Sequence, residues 1–595
     1  MSDSSAARPA ICLNMIVRNE AHIVVEVLDA TAPYISSWVV VDTGSDDGTQ
    51  DLIKNHMARL GIPGELHERP WRDFGHNRSE ALVLAQGHGD YIWVMDADDT
   101  VLGIPDFTGL SADMYLMRVG QAAAGLHCWR AQLFRDGLPV RYEGVIHETP
   151  VCDQPCVTER LEGEYLIESR RLGARNADPQ KKLASDLELL LGEVGRNPED
   201  TRSVLHLGQT YFDMGDFANA RKWYARRAEM GGSTEEIYHA LYQVAAAMVQ
   251  LGAPWPETQD VLLQAWDVRP NRAEPLYVIA QQHRGNHRYR LGYLFARVAA
   301  EIPFPESDTL MAPADVYAWR AAEEWAACAS MIGKHAETFA LCRMLLSRPG
   351  IPEEDRRRIA ANRDVYVPMM IDAASSYPDT VVTDLVQRRA RRPGDSDVVV
   401  TVVAGPDRDS IEQTLNSFLH CCLDVSRVGR FLVFDAGLSA EDRALLQDRY
   451  GFLDIVCLGA EDQPAAPVGS LRPHVDARFW LHLGQGWRFF APDNLLTRLT
   501  AVLRAEADVV QVGINFADAV TLTGACAADD VVRRDADTGR YVLAAAQVSG
   551  PSMFDTERLD RVVTSGRGSR ESGFGCASLD EVLCLKATAA PTGTA

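Results

Sequence analysis

Apolar residues in the first hundred positions fall in short runs separated by helix-length amphipathic stretches. Residues 11–17, 38–41 and 66–68 predict strands, and the intervening residues 21–30 and 49–60 predict helices. A third helix is expected over Ser79–Gln86. The stretch that organises the rest is Asp90-Tyr-Ile-Trp-Val-Met-Asp96-Ala97-Asp98-Asp99-Thr100. Its apolar residues Ile92 to Met95 run straight into three carboxylates. Such a run reads as a strand buried on both faces, in a sheet covered by helices. Strand–helix alternation of this kind predicts a doubly wound, mostly parallel sheet. Between the second strand and its helix lies Asp42-Thr-Gly-Ser-Asp-Asp-Gly-Thr49, a tight turn in which Ser45 or Asp46 can cap the helix.

Farther along, Trp129–Arg135 and Arg141–Glu148 alternate as strands do, which predicts an antiparallel extension of the sheet. From about 176 to 370 the spacing becomes helical. Leu207-Gly208-x-x-Tyr211, Gly215, Ala220 and Tyr224 match the tetratricopeptide pattern, and a similar turn recurs at Gly252. Helix pairs of this kind must stack on neighbours to bury their faces. Residues 379–396, with Arg388-Arg-Ala-Arg-Arg-Pro-Gly-Asp, read as a charged linker that few contacts should cross. Strand and helix runs then return in the order of the N-terminal block: Val398–Val403, Ser410–Leu419, Phe431–Phe434, Ala440–Tyr450, Asp454–Leu458 and Phe479–Leu483. Asp435-Ala-Gly-Leu-Ser439 echoes Asp42-Thr-Gly-Ser45, and Gly484-Gln-Gly486 stands where Asp96-Ala-Asp98 stood. The tail after about Lys586, rich in Ala and Thr, is expected to be disordered.

Composition narrows the function classes. At 595 residues, three domains are expected. A net charge of −24 argues against a general binder of nucleic acid or anionic membrane. No stretch approaches the ~18 apolar residues of a membrane span, and Met1–Ala10 lacks a hydrophobic signal core. The 12 cysteines form no CxxC pair, so reduced thiols and a cytoplasmic place are expected, with a peripheral place at the inner membrane face left open. The spacing of His147, Cys152 and Cys156 fits no usual zinc module.

Ligands of open α/β sheets bind beyond the carboxyl ends of the strands. Asp96 and Asp98 would sit at that rim and repel each other unless a cation lies between them. Mg²⁺ or Mn²⁺ suits such a pair together with substrate phosphates. The bland alternative is an acidic turn capping the next helix.

Four segments in order, Met15-Ile-Val-Arg-Asn-Glu20, Val-Val-Val-Asp42-Thr-Gly-Ser-Asp-Asp-Gly-Thr49, Asn77-Arg78 and Asp96-Ala-Asp98-Asp99, resemble the nucleotide-sugar half of family-two glycosyltransferases of GT-A fold. The resemblance covers about residues 10–165. It implies that Glu20 and Asp42 contact the base or ribose of a nucleotide sugar, with Asn19, Ser45 and Asn77 also on the donor. It implies that Arg78 approaches the diphosphate and that Asp96 and Asp98 bring Mg²⁺ or Mn²⁺ to it. A bacterial subgroup that fuses this domain to tetratricopeptide-like helices carries a similar "LFR … G-x-x-His-Glu" pair. On that likeness His147 is a third metal or diphosphate ligand, or else part of a buried His–Glu hydrogen bond. Glu148 or Glu143 is the candidate base. The Glu-Asp pair that supplies the base in many family-two enzymes is not evident.

The chain therefore reads as a GT-A domain at 10–165, a tetratricopeptide-like array at 176–370 and a degenerate GT-A-like domain at 396–586. The expected activity is inverting, metal-dependent transfer of a sugar, of hexosyltransferase class, from a nucleotide-sugar donor to a saccharide, lipid-linked or peptide acceptor. A protein partner on the helices is also expected. The alternative is a non-catalytic scaffold with a vestigial sugar-nucleotide fold. A nucleotidyltransferase would need a Gly-rich, Lys-bearing loop that Met15–Glu20 lacks.

Overall fold

The computed structural model describes residues 8–121, 126–170, 172–306, 308, 310, 312–390, 397–457, 471–516, 531–535, 537–544, 547–565 and 574–586. The predicted tail after Lys586 and the end of the predicted linker, 391–396, lie outside the described residues. The chain folds as two compact units, residues 1–279 with 302–314, and residues 280–301 with 315–595.

The first unit opens with β1 (Ile11–Val17), α1 (Val24–Thr31), β2 (Ser37–Asp42), α2 (Thr49–Leu60), β3 (Gly64–Glu68), α3 (Phe74–Ala85) and β4 (Tyr91–Val94). It continues through β5 (Asp99–Pro105), β6 (Met114–Gln121), β7 (Leu126–Arg135), β8 (Val140–Glu143), β9 (Thr149–Cys152), β10 (Thr158–Arg160) and β11 (Gly163–Ser169). The sheet order is β3-β2-β1-β4-β7-β6-β11-β5. Its first four strands are parallel. Beyond β4 the sheet is mixed: β4–β7, β7–β6 and β11–β5 are antiparallel, and β6–β11 is parallel. The parallel strands and the antiparallel extension through Trp129–Arg135 are those expected from the sequence, within a sheet that is mixed overall. Parallel pairing needs a crossover helix, and the helices stop after α3, so the later strands close mainly by antiparallel returns. Trp93 and the aliphatic side chains of β1 and β2 fill the core.

Helices α4 (Pro179–Arg196), α5 (Thr201–Asp213), α6 (Phe217–Glu229), α7 (Thr234–Gln250) and α8 (Trp255–Val268) follow as an antiparallel array resembling tetratricopeptide repeats. The small-against-large rule is visible at Gly208, where an added Cβ would stand 2.9 Å from the Tyr224 ring of α6. The array is not separate from the α/β part: β8 and β9 form a two-stranded sheet of their own, and the loop between them packs on the helices. Val145 and Ile146 share one buried cluster with Leu190, Val194, Val204 and Leu207 of α4 and α5.

Helix α9 (Glu274–Gly285) spans the division between the units. The second unit then holds α10 (Tyr289–Glu301), α11 (Ala321–Met331), α12 (His335–Leu346), α13 (Glu353–Asp364), α14 (Val367–Ala374) and α15 (Asp379–Ala390). Arg388 and Arg389 therefore occupy the last turn of a helix rather than a linker. Strands β12 (Val398–Ala404), β13 (Val428–Asp435), β14 (Leu453–Cys457) and β15 (Phe479–His482) come next. After them come β16 (Trp487–Phe489), β17 (Val509–Gly513), β18 (Arg533–Asp535), β19 (Gly539–Ala544), β20 (Ser552–Asp555), β21 (Gly575–Leu579) and β22 (Cys584–Lys586). The second sheet runs β14-β13-β12-β15-β20-β17-β21-β19-β18. Strand for strand, the senses from β14 to β19 repeat those from β3 to β5 in the first unit. The edge strand differs in chain position, since β19 follows β17 whereas β5 precedes β6. Contrary to the expected sparse boundary, Phe339, Val367, Ala374, Val382 and Leu385 of the helices lie in one core with Val398, Val400 and Leu481.

Candidate functional site

The site lies at the carboxyl ends of β1, β2 and β4. Leaving β1, Asn19 adopts a left-handed φ of 57°. Its N–H donates to Ser45 Oγ at 2.8 Å, and its Oδ1 accepts from the Asp46 N–H at 2.9 Å. Asn19 and Ser45 thus clip the first loop to the second. Asp42 closes the second loop: Oδ1 accepts the N–H groups of Gly44 and Ser45, each at 3.0 Å, and Gln50 Nε2 at 3.1 Å. Gly44 makes this turn possible at φ 108°. The other oxygen, Oδ2, is buried with no hydrogen-bond partner among the described residues. A buried carboxylate oxygen left unmet is costly, and a ligand hydroxyl or amide can meet it.

Helix α3 starts five residues before the predicted Ser79, because Asp73 caps it by accepting the His76 N–H at 2.8 Å. Asn77 and Arg78 consequently sit on its first turns. Asn77 is buried; Oδ1 accepts from Arg72 N–H at 2.9 Å and Nδ2 donates to the Pro70 carbonyl at 3.1 Å. It staples the preceding loop. Arg78 points the other way. Its Nε donates to Glu148 at 2.5 Å, its Nη2 donates to Asp96, and the guanidinium lies over the Tyr142 ring.

Beyond β4, burial raises the affinity of the Asp96 carboxyl for its proton, but Arg78 outweighs it and holds the group below the usual carboxylate range. Arg130 of β7 stands 3.8 Å from Asp96 Oδ2. Asp98 Oδ2 accepts the Gly173 N–H at 2.9 Å, and Glu20 accepts the Ala174 N–H at 3.2 Å. An added Cβ on Gly173 would stand 3.2 Å from Glu20 and 3.4 Å from Asp98, so the glycine permits this close approach. Burial, with the Asp98 charge adding to it, pushes the Glu20 carboxyl up. Asp99 is fully buried, its Oδ1 is without a partner, and burial followed by Asp96 pushes it up to about 8.

Structure and sequence part company over the last candidates. Glu148 joins Arg78 and Asp96, with only 12% of its side chain exposed. Glu143 is 54% exposed and pairs with Arg141, which also holds Asp153. His147 does not join Asp96 and Asp98. Its ring stacks on His206 of α5 at 4.3 Å between centroids. Burial holds both imidazoles below their ordinary value. Among the described residues, no three His, Cys, Asp or Glu side chains form a metal-holding group. Mg²⁺ and Mn²⁺ take one or two carboxylates and leave other positions to water and phosphate, so Asp96 and Asp98 are the carboxylates that would hold such a cation here. Arg170 Nε donates to the Asp98 carbonyl at 3.1 Å, and it was missed by sequence reasoning together with Arg130, Gly173 and Ala174. Arg130 lies in the strand-like Trp129–Arg135 run, which the spacing alone could have flagged. The other three lie past the predicted domain end, and the backbone donors of Gly173 and Ala174 leave no side-chain signal.

The second unit carries the same frame with different chemistry. Asp435 Oδ1 accepts the N–H groups of Gly437 at 3.0 Å and Leu438 at 2.8 Å, as Asp42 does. Its Oδ2, however, is taken by Arg443 at 2.7 Å. At the position of Asp96 and Asp98, Gln485 packs against Gly405, where an added Cβ would meet its amide at 2.7 Å.

Residues 12–103 match the model of the family Glycosyl transferase family 2. A TPR repeat-containing protein of Synechococcus elongatus is 26% identical over 261 residues, covering 40% of this chain and 62% of that protein. The chain thus spans about three fifths of that curated relative. Among solved structures, MamA is 14% identical over 29% of this chain and 94% of its own, at a TM-score of 0.23. S. aureus TarS in complex with UDP is 12% identical over 40% of this chain and 80% of its own, at a TM-score of 0.21.

Proposed function

We propose that the first unit is a glycosyltransferase of GT-A type that moves a sugar, of hexosyl class, from a nucleoside-diphosphate donor to an acceptor hydroxyl with inversion. One observation carries this reading. Glu20, Asp42, Asp96 and Asp98 converge at the ends of β1, β2 and β4, inside the segment that matches Glycosyl transferase family 2. Asp42 Oδ2 and Glu20 receive the polar edges of the nucleoside. Asp96 and Asp98 would hold Mg²⁺ or Mn²⁺, which when bound offsets the charge of the departing diphosphate. Arg78 and Arg130 add fixed positive charge beside the same oxygens. Glu148 is the base: its carboxylate takes the acceptor proton as the acceptor oxygen attacks the anomeric carbon from the face opposite the diphosphate. The second unit has the same frame but no carboxylate pair at Gly484–Gly486, and it serves a structural or acceptor-facing role.

A non-catalytic reading is favoured by the Arg78–Glu148 pair, which occupies the base. Both readings are separated by a melt with nucleoside diphosphates, with and without Mn²⁺, followed by a hydrolysis screen over nucleotide sugars. A Mn²⁺-dependent shift with donor turnover supports the enzyme. A shift with no turnover of any donor supports the scaffold.

A further inference from the structure

Glu148 stands on the loop between β8 and β9, and that loop has an unusual backbone. Gly144 has φ 107° and His147 has φ 51°. A non-glycine residue in the left-handed region costs on the order of 1–3 kcal/mol and persists only when its surroundings impose it. Here the surroundings come from two sides. From one side, the Val145 carbonyl accepts the N–H of Phe74, the first residue of α3, at 3.2 Å. From the helices, Arg202 Nη2 donates to the His147 carbonyl at 3.3 Å, and His206 stacks on the His147 ring with 26° between planes. Arg202 and His206 are four residues apart, so they lie on one face of α5. Among the described residues, Arg202 Nε and His206 Nε2 are buried without a hydrogen-bond partner, so these side chains meet the loop only through the Nη2 bond and the ring stack. Val145 and Ile146 are buried against Leu190, Val194, Val204 and Leu207 in the same contact.

We infer that Arg202 and His206 of the first helical repeat are positioning residues for the base loop: they hold His147 in its left-handed conformation and so aim Glu148 at Arg78 and the reacting acceptor. The inference rests on the transfer reading above. It makes the helical array a working part of the transfer site, distinct from any partner-binding role. Neither residue touches the donor side, where Asp42, Glu20 and Asp98 are held by other loops.

The test uses the full chain with His206→Ala, His206→Phe and Arg202→Met. Amide hydrogen exchange of residues 144–148 is read against that of β4. In His206→Ala and Arg202→Met the loop should exchange about 10-fold faster while β4 is unchanged. His206→Phe retains the stack and should exchange as the parent does. In turnover assays, His206→Ala should lower kcat for transfer about 10-fold with donor KM unchanged, and His206→Phe should restore it. Parent-like loop exchange in both His206→Ala and Arg202→Met overturns the inference. So does a donor KM that rises in step with the loss of kcat, or a His206→Phe variant as impaired as Ala. If the parent transfers sugar to no acceptor, the transfer reading fails, while the loop exchange still decides whether α5 positions Glu148.

Discussion

Arg78 Nε donates to the Glu148 carboxylate at 2.5 Å across 70 residues of sequence, joining the first turns of α3 to the loop after β8. The same guanidinium donates to Asp96, so one cation serves a nearly buried carboxylate, Glu148, and a partly exposed one, Asp96. Removing it leaves Glu148 unpaired and Asp96 with Arg130 alone at 3.8 Å, a loss on the order of a few kcal/mol that solvent at Asp96 reduces. Arg78→Met is therefore expected to lower the melting temperature sharply and to abolish nucleoside diphosphate binding. Arg78→Lys keeps the charge but loses the two-pronged geometry. It should melt within a few degrees of the parent and bind diphosphate roughly 10-fold more weakly. Calorimetry on both variants checks this, and parent-like affinity in Arg78→Lys would remove Arg78 from the donor site.

Asp98 tests the metal. Its Oδ2 is held by the Gly173 N–H, an interaction that Asn can keep through its carbonyl oxygen. Asp98→Asn should thus fold normally. It should weaken Mn²⁺-dependent nucleoside diphosphate binding by about 10-fold or more. Equal affinities for parent and variant in titration calorimetry, with Mn²⁺ present, would rule out the metal role.

The two glutamates proposed as base from sequence are no longer equivalent. Glu148→Gln should cut transfer by about 10²–10⁴-fold and leave donor binding near the parent value, because a base acts in the transition state. Glu143 is on the exposed hairpin face with Arg141, so Glu143→Gln should leave both quantities unchanged. The reverse pattern in steady-state kinetics would move the base to the hairpin.

These contrasts show what the chain disclosed and what it withheld. Helix α2 was legible from end to end, since Gly48 precedes it and Gly61 ends it, both in left-handed conformation. The four carboxylates were legible because each follows a short apolar run. The start of α3 was not: Asp73 caps it from within Trp71–Arg78, where no apolar period begins. The mixed sheet was legible in part: the alternation of Trp129–Arg135 announced an antiparallel extension, which β7 makes, but alternation tells which face a residue takes and not which strand lies beside it. The placement of His147 was hidden for a third reason. Its partner, His206, belongs to α5, whose tetratricopeptide pattern reports contacts within the array only.

Acid should act most strongly on the second unit through Glu581. Burial raises its carboxyl, but Arg343 and Arg498 outweigh this and hold it at about 2. Arg343 Nε donates to it at 2.7 Å and Arg498 Nη1 at 2.7 Å. An unfolded glutamate titrates near about 4.3. Between those two values the unfolded chain binds more protons than the folded one, so stability rises with pH in that window. The contribution, roughly 3 kcal/mol, is present above about pH 4.3 and is lost as pH falls toward 2. Glu581→Gln should be destabilised at neutral pH, and its stability should fall less steeply on acidification. Denaturant melts from pH 7 to 3 measure this, and parallel curves for parent and variant would show that the pair contributes nothing.

The last prediction concerns where the chain can be cut. A break at 395 follows the Arg- and Pro-rich run, where composition alone places a linker. The structure puts Phe339, Val367, Ala374, Val382 and Leu385 in the core of the second sheet, so that break strips their cover. Burial of the larger of these side chains is worth about 1.5–3 kcal/mol each. Fragment 1–395 is expected to bind a hydrophobic dye and to lose a cooperative transition in its C-terminal helices. Fragment 1–314 contains every residue of the first unit and none of those five side chains. It should stay monomeric and keep the Mn²⁺-dependent melting shift with nucleoside diphosphate. A monomeric 1–395 without dye binding, melting as steeply as the full chain, would show that α12, α14 and α15 are stable without the second sheet. Loss of the nucleotide shift in a folded 1–314 would place part of the donor site beyond Ala314.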